Sequence, residues 1–189
     1  PATLILSFFS KEVVFLWSHN EVLTNSVAPI MSIWVIGTAL NGIMHMPYVA
    51  QLSYGWSRLT IVVNAFSIIV IIPLLFYLVP LYGALSAAWI WVGINVGYVL
   101  VSITYMHKKI LKKEKWEWYI NDLFIPTFLS LAVVILARKL LDDLMISNLF
   151  LLALYICLVA ILALSLSVIS TKIGRSYISN LKQRYFYAR

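Results

Sequence analysis

Four long stretches of this chain contain no Asp, Glu, Lys or Arg: Val22–Ser57, Leu59–His107, Leu123–Ala137 and Leu144–Thr171. A bilayer's hydrocarbon core takes about 20 mostly apolar helical residues to cross. The second stretch is long enough for two crossings, and Pro80-Leu81-Tyr82-Gly83 supplies a turn between them. The sequence therefore predicts an all-α, polytopic transmembrane helix bundle with five complete spans, roughly 25–48, 59–79, 84–106, 120–138 and 148–170. Residues 1–9 read as the end of a further, partial span, and the chain as the C-terminal part of a longer membrane protein. Three regions follow: 1–24, the truncated span with an external loop; 25–170, the five-span bundle; and 171–189, a basic tail.

The cations orient this ladder. Threading the spans puts Arg58, Lys108, Lys109, Lys112, Lys113, Lys115, Lys172, Arg175, Lys182, Arg184 and Arg189 on one side, eleven of the fourteen Lys and Arg residues. Only Lys11, Arg138 and Lys139 fall on the other. Short loops rich in Lys and Arg stay cytoplasmic, so the C-terminus is expected inside. The net charge of +7 is concentrated at span ends, where anionic lipid head groups attract it; nucleic acid is not an expected partner. The loop 107–122 leads from its lysines into Trp116, Trp118 and Tyr119 and reads as a short amphipathic helix on the inner leaflet. On the outer side, residues 10–24 read as a polar connection whose apolar patch Val13–Trp17 lies in the interface, and Pro29 falls in the first turn of the following helix. The single cysteine, Cys157, is a small packing residue of the last span.

Hydrocarbon penalises polar groups, so polar side chains within spans are the candidates for a site. Asn41, His45 and Tyr48 are spaced i, i+4, i+7 and share one helical face; Trp91, Asn95 and Tyr98 repeat the spacing, and Asn64 lies on the span between. These seven residues outline a polar wall suited to sugar hydroxyls, or else structural hydrogen bonds between helices. Gly93 and Gly97 form a GxxxG pair, and Gly83/Ala87 with Ala84/Ala88 form small-xxx-small pairs that predict close helix packing. Pro73 predicts a kink in its span and is a hinge candidate. No metal or cofactor is expected: the spans hold no central carboxylate, no metal-ligand cluster and no nucleotide or protease motif. The outer loops are too short for an active-site domain, so enzymatic activity is not expected.

The run Leu78-Val-Pro-Leu-Tyr-Gly-Ala-Leu-Ser-Ala-Ala-Trp89 resembles the Gly/Ala-rich turn-and-helix of the polysaccharide transporter family, which includes the O-antigen flippases. The stretch Asn41–Gly55, with its Pro and its small Gly-containing turn, is similar to the preceding family helix, as are the basic loop, two closing spans and basic tail. The resemblance covers essentially the whole chain. It implies the C-terminal lobe of a twelve-helix transporter in the bacterial inner membrane. Such a protein would move an undecaprenyl-diphosphate-linked O-antigen or related repeat unit outward by alternating access, for lipopolysaccharide or other polysaccharide biosynthesis. The lipid-linked oligosaccharide, anionic lipids and other polysaccharide assembly proteins are the partners it implies. The chain departs from the family's cationic cavity, because no Lys or Arg lies deep in the five spans. Two alternatives remain open: a cation-coupled multidrug exporter of the same superfamily, with Asp122 as its one acidic candidate, and a membrane glycan polymerase or acyltransferase.

Overall fold

The computed structural model describes residues 1–109, 115–144, 146, 148–171, 174–177 and 180. Among these residues the chain is all helical, with no strand. Five helical stretches are long and apolar enough to cross a membrane: Glu21–Ser53, Arg58–Tyr82, Ala84–Met106, Trp116–Leu144 and Leu149–Ser170. The chain is a multi-pass membrane protein. Most of the tail and the centre of the 107–122 loop, including Lys112, Lys113, Lys172, Lys182, Arg184 and Arg189, lie outside the described residues.

The contacts divide the chain into two units, Ser10–Lys113 and Pro1–Phe9 with Glu114–Arg189. The first unit holds α2 (Ser10–Ser18), α3 (Glu21–Ile43), α4 (His45–Ser53), α5 (Arg58–Tyr82), α6 (Ala84–Tyr98) and α7 (Thr104–Lys109). The stretch 10–24, expected as a connection, is helical except for His19 and Asn20. Two local features explain it. His19 adopts a left-handed φ of 51°, which turns the chain, and the Asn20 side chain accepts from the Leu23 N–H at 3.1 Å. That cap starts α3 a turn earlier than hydropathy suggests. Pro29 consequently sits inside α3 and not in its first turn.

α3 stops at Ile43 because Pro47, four residues on, has no N–H to give the Ile43 carbonyl. The Met44 N–H instead bonds back to Asn41 O at 3.0 Å, a tighter turn at the junction with α4. α5 runs unbroken through both Pro73 and Pro80. The expected four-residue turn at Pro80–Gly83 shrinks to Gly83, whose φ of 72° only glycine adopts cheaply. α6 then continues through a π-helical turn, Val99–Ile103, into α7.

α3 packs along α6, and α5 along α6. The pairs Thr38–Trp91 and Asn41–Asn95 show that α3 and α6 run parallel. They are close at Gly37, where a Cβ would collide with the Trp91 ring. That ring stacks on Trp34 at 5.5 Å and its Nε1 donates to Thr38 Oγ1 at 3.4 Å. The GxxxG pair does something else. A Cβ at Gly93 or Gly97 would meet nothing within 4 Å, so no backbone approaches that face as the spacing suggests. Of the other small residues, Ala88 is fully buried, Ala87 half-buried, and Gly83 and Ala84 exposed.

In the second unit, α8 (Lys115–Trp118) leads through a π-helical turn, Tyr119–Phe124, into α9 (Ile125–Leu144), which packs on α10 (Leu149–Ser170) and on α1 (Ala2–Phe8). Tyr155 OH donates to Ala137 O at 2.6 Å, and the Ser130 hydroxyl lies between Pro126 O and Ala163 O at 2.8 and 3.3 Å. These two pairs make α9 and α10 antiparallel. Phe9 is fully buried, edge-on to Tyr155 at 6.5 Å and beneath the Arg138 guanidinium at 5.8 Å. α9 runs six residues past the expected end at 138, helped by an i,i+4 pair, Arg138–Asp142, at 3.0 Å.

The Gly37 contact yields a paired test. Gly37→Ala should destabilise the protein relative to Gly97→Ala by about 1–3 kcal/mol, the usual range for overpacking a filled site. Thermal unfolding in one detergent checks it; equal melting temperatures would show that Trp91 yields freely.

Candidate functional site

The polar residues of the first unit separate into two groups. Asn95 is fully buried. Its Oδ1 accepts from Asn41 Nδ2 at 2.9 Å, and its Nδ2 donates to Trp91 O at 2.8 Å. Asn95 and Trp91, expected in an open wall, are instead parts of the α3–α6 seam. In a hydrocarbon environment an unpaired amide is costly, and these bonds pair it within the protein.

One turn further on, the same helices open. A pocket of about 400 Å³ is lined by Asn41, His45 and Tyr48 from α3 and α4, Thr60 and Asn64 from α5, and Tyr98 and Ser102 at the end of α6. Five of the seven residues expected in the polar wall therefore come together: Asn41, His45, Tyr48, Asn64 and Tyr98. Among the described residues the side chains of His45, Tyr48, Asn64 and Tyr98 make no hydrogen bond or ion pair within the chain. They remain available to a ligand.

The local backbone positions each wall. Met44, at the junction of α3 and α4, stays in the right-handed helical region, so His45 and Tyr48 follow Asn41 along one helical face. Gln51, 1% exposed, accepts from the Thr60 hydroxyl at 2.8 Å and ties the start of α5 to α4. The π-helical turn places buried Ser102 at the pocket's base. Thr60, Ser102 and Gln51 are absent from the sequence-based set. Isolated hydroxyls are common in apolar helices, and only Gln51, a large amide just past a span, carried a usable signal.

Among the described residues the lining holds amides, hydroxyls, two phenols, one imidazole and the apolar Met44 and Val63, with no Asp, Glu, Lys or Arg. Such a surface offers hydrogen bonds in both directions together with aromatic faces. It suits a neutral, hydroxyl-rich group and provides no carboxylate to hold a coupling cation. Among the described residues no three His, Cys, Asp or Glu side chains lie close enough together to hold a metal. Arg58, at the first position of α5, and Lys108, near the end of α7, stand at the same end of the helices as the pocket.

The chain matches no known protein family, and neither a characterised protein nor a solved structure matches it.

A double-mutant cycle separates seam from pocket. Asn41→Ala and Asn95→Ala should each cost about 0.5–2 kcal/mol of stability, with strong non-additivity because they break one bond. Asn64→Ala should leave unfolding unchanged. Reversible unfolding in mixed micelles reads all three, and strict additivity of the first pair would show that their bond does not form.

Proposed function

We propose that this chain is part of a transporter that carries a lipid-linked oligosaccharide from the cytoplasmic to the outer leaflet of a bacterial inner membrane by alternating access. The observation behind this reading is the uncharged pocket lined by Asn41, His45, Tyr48, Asn64 and Tyr98 at one end of a set of apolar helices. Amide and hydroxyl groups pair with sugar hydroxyls, and Tyr48 and Tyr98 supply faces on which sugar rings stack. The resemblance to the polysaccharide transporter family points to the same substrate class.

In this reading the pocket end faces the cytoplasm. Arg58 and Lys108 stand there, and short cation-rich connections stay on the cytoplasmic side. Trp118 and Tyr119, with ring centroids 5.2 Å apart, anchor the start of the fourth span at head-group level. Anionic lipids bind the neighbouring cations. No chemical step is assigned to the chain: the pocket binds and releases. A cation-coupled exporter would need a carboxylate at its site, and none lines this pocket.

Deletion of the full-length gene should leave intact lipid-linked repeat units on the cytoplasmic leaflet and remove surface polysaccharide. Restoring the gene with His45→Ala or Asn64→Ala should weaken export about fivefold to tenfold each, the equivalent of about one hydrogen bond of 1–1.4 kcal/mol, at unchanged protein level. Leaflet-resolved quantification of the glycolipid decides; normal surface glycan in the deletion strain would end this reading.

A further inference from the structure

The hydrogen bonds that build the pocket also fix which of its atoms are left to bond. A run of amides starts at the Trp91 carbonyl, which can only accept. It takes the Nδ2 end of Asn95 at 2.8 Å, and so turns the Oδ1 end of that side chain toward α3. That oxygen in turn takes the Nδ2 of Asn41 at 2.9 Å. Asn95 is fully buried, which keeps water from either end. Asn41 lines the pocket, and its Oδ1 makes no hydrogen bond within the chain among the described residues. A second buried amide acts alike on α5. Gln51, 1% exposed, takes the proton of the Thr60 hydroxyl at 2.8 Å. A hydroxyl has a single donor and two lone pairs, so Thr60, also in the lining, keeps only lone pairs for a ligand.

On the reading of the pocket as a glycan site, we infer that Asn41 and Thr60 form an acceptor wall that selects hydrogen-bond donors of the ligand, and that Asn95 and Gln51 are the positioning residues that set this polarity. A sugar hydroxyl can turn its proton to either acceptor. An ether oxygen, a carboxylate or a phosphate would set lone pairs against lone pairs and forfeit the bond. An ammonium group also donates, but among the described residues the lining holds no carboxylate to balance its charge. His45, Tyr48, Asn64 and Tyr98 keep donors and lone pairs alike, and accept either kind of group. Discrimination therefore lies with the two side chains whose polarity the chain has already committed.

The test uses the full-length protein in nanodiscs, with its own cysteines, Cys157 among them, replaced by serine. The reporter is Gly42→Cys, in the pocket lining, where an added Cβ meets nothing within 4 Å. The probes are the methyl glycosides of glucose, galactose and N-acetylglucosamine, with monofluoro analogues of the one that best slows alkylation of the reporter. Fluorine in place of a hydroxyl keeps the size and removes the donor. At the hydroxyls that meet the wall it should weaken protection about tenfold, the size of one lost hydrogen bond. Thr60→Val and Gln51→Leu should each shrink that penalty about threefold or more at the same hydroxyl, and Thr60→Ser should restore it. Asn95→Ala should shrink it at the hydroxyl that meets Asn41. Should Gln51→Leu fail to fold, the Thr60→Val and Thr60→Ser pair decides. Equal weakening of every analogue by Gln51→Leu and Asn95→Ala would overturn the positioning role. Fluorine tolerated at every hydroxyl would remove the acceptor wall and keep the glycan pocket; no protection by any of the glycosides would end both.

Discussion

Trp91 lies against the backbone of α3 because position 37 has no side chain. That contact sets the depth and register of the α3–α6 seam, and the rest of the first unit is built upon it. With the indole stacked on Trp34 and hydrogen-bonded to Thr38, the next turn brings Asn95 to Asn41. A further turn brings Tyr98 and Ser102 opposite His45 and Tyr48. Lipid tails are as apolar as leucine, so burial supplies little drive for helices to associate within a membrane. Shape and paired polar groups must do so, and here both act along one line.

Against that rigid seam, α5 is held lightly. It packs along α6 from the Gly83 hairpin, is tied to α4 by the Gln51–Thr60 bond, and buries only Ser67. Two prolines remove backbone hydrogen bonds from it. Pro80 falls in the last turn of α5, so Pro73 is the proline that removes a hydrogen bond from its interior.

The spans were legible in the sequence because bilayer thickness imposes a length that hydropathy reports directly. Their ends were less so. Caps and prolines decide ends locally: Asn20 started α3 early, Pro47 stopped it at Ile43, and the Arg138–Asp142 pair carried α9 beyond its apolar run. Asn41, His45 and Tyr48 stay together because i, i+4, i+7 spacing fixes a shared face, whereas Asn64 and Tyr98 join them only through the packing of α5 and α6. Spacing says nothing about what that face meets. For the same reason GxxxG gave no packing partner at Gly93 and Gly97, while the lone Gly37, with no motif around it, meets the Trp91 ring.

Asn41 and Asn64 illustrate the distinction that matters most for function. Both are amides in apolar helices, and the sequence treats them alike. Asn41 donates to a fully buried partner and lines the pocket as well, so it joins the seam to the site. Asn64 makes no such bond among the described residues, is exposed, and lines the pocket. A polar group left unpaired in hydrocarbon costs free energy that a folding role would have no reason to retain. An amide paired inside the protein has its explanation in stability, whereas an exposed one left open can bond water or a ligand. Among the described residues His45, Tyr48, Asn64 and Tyr98 line the pocket with no hydrogen bond inside the chain, which is what the proposed glycan site requires of them.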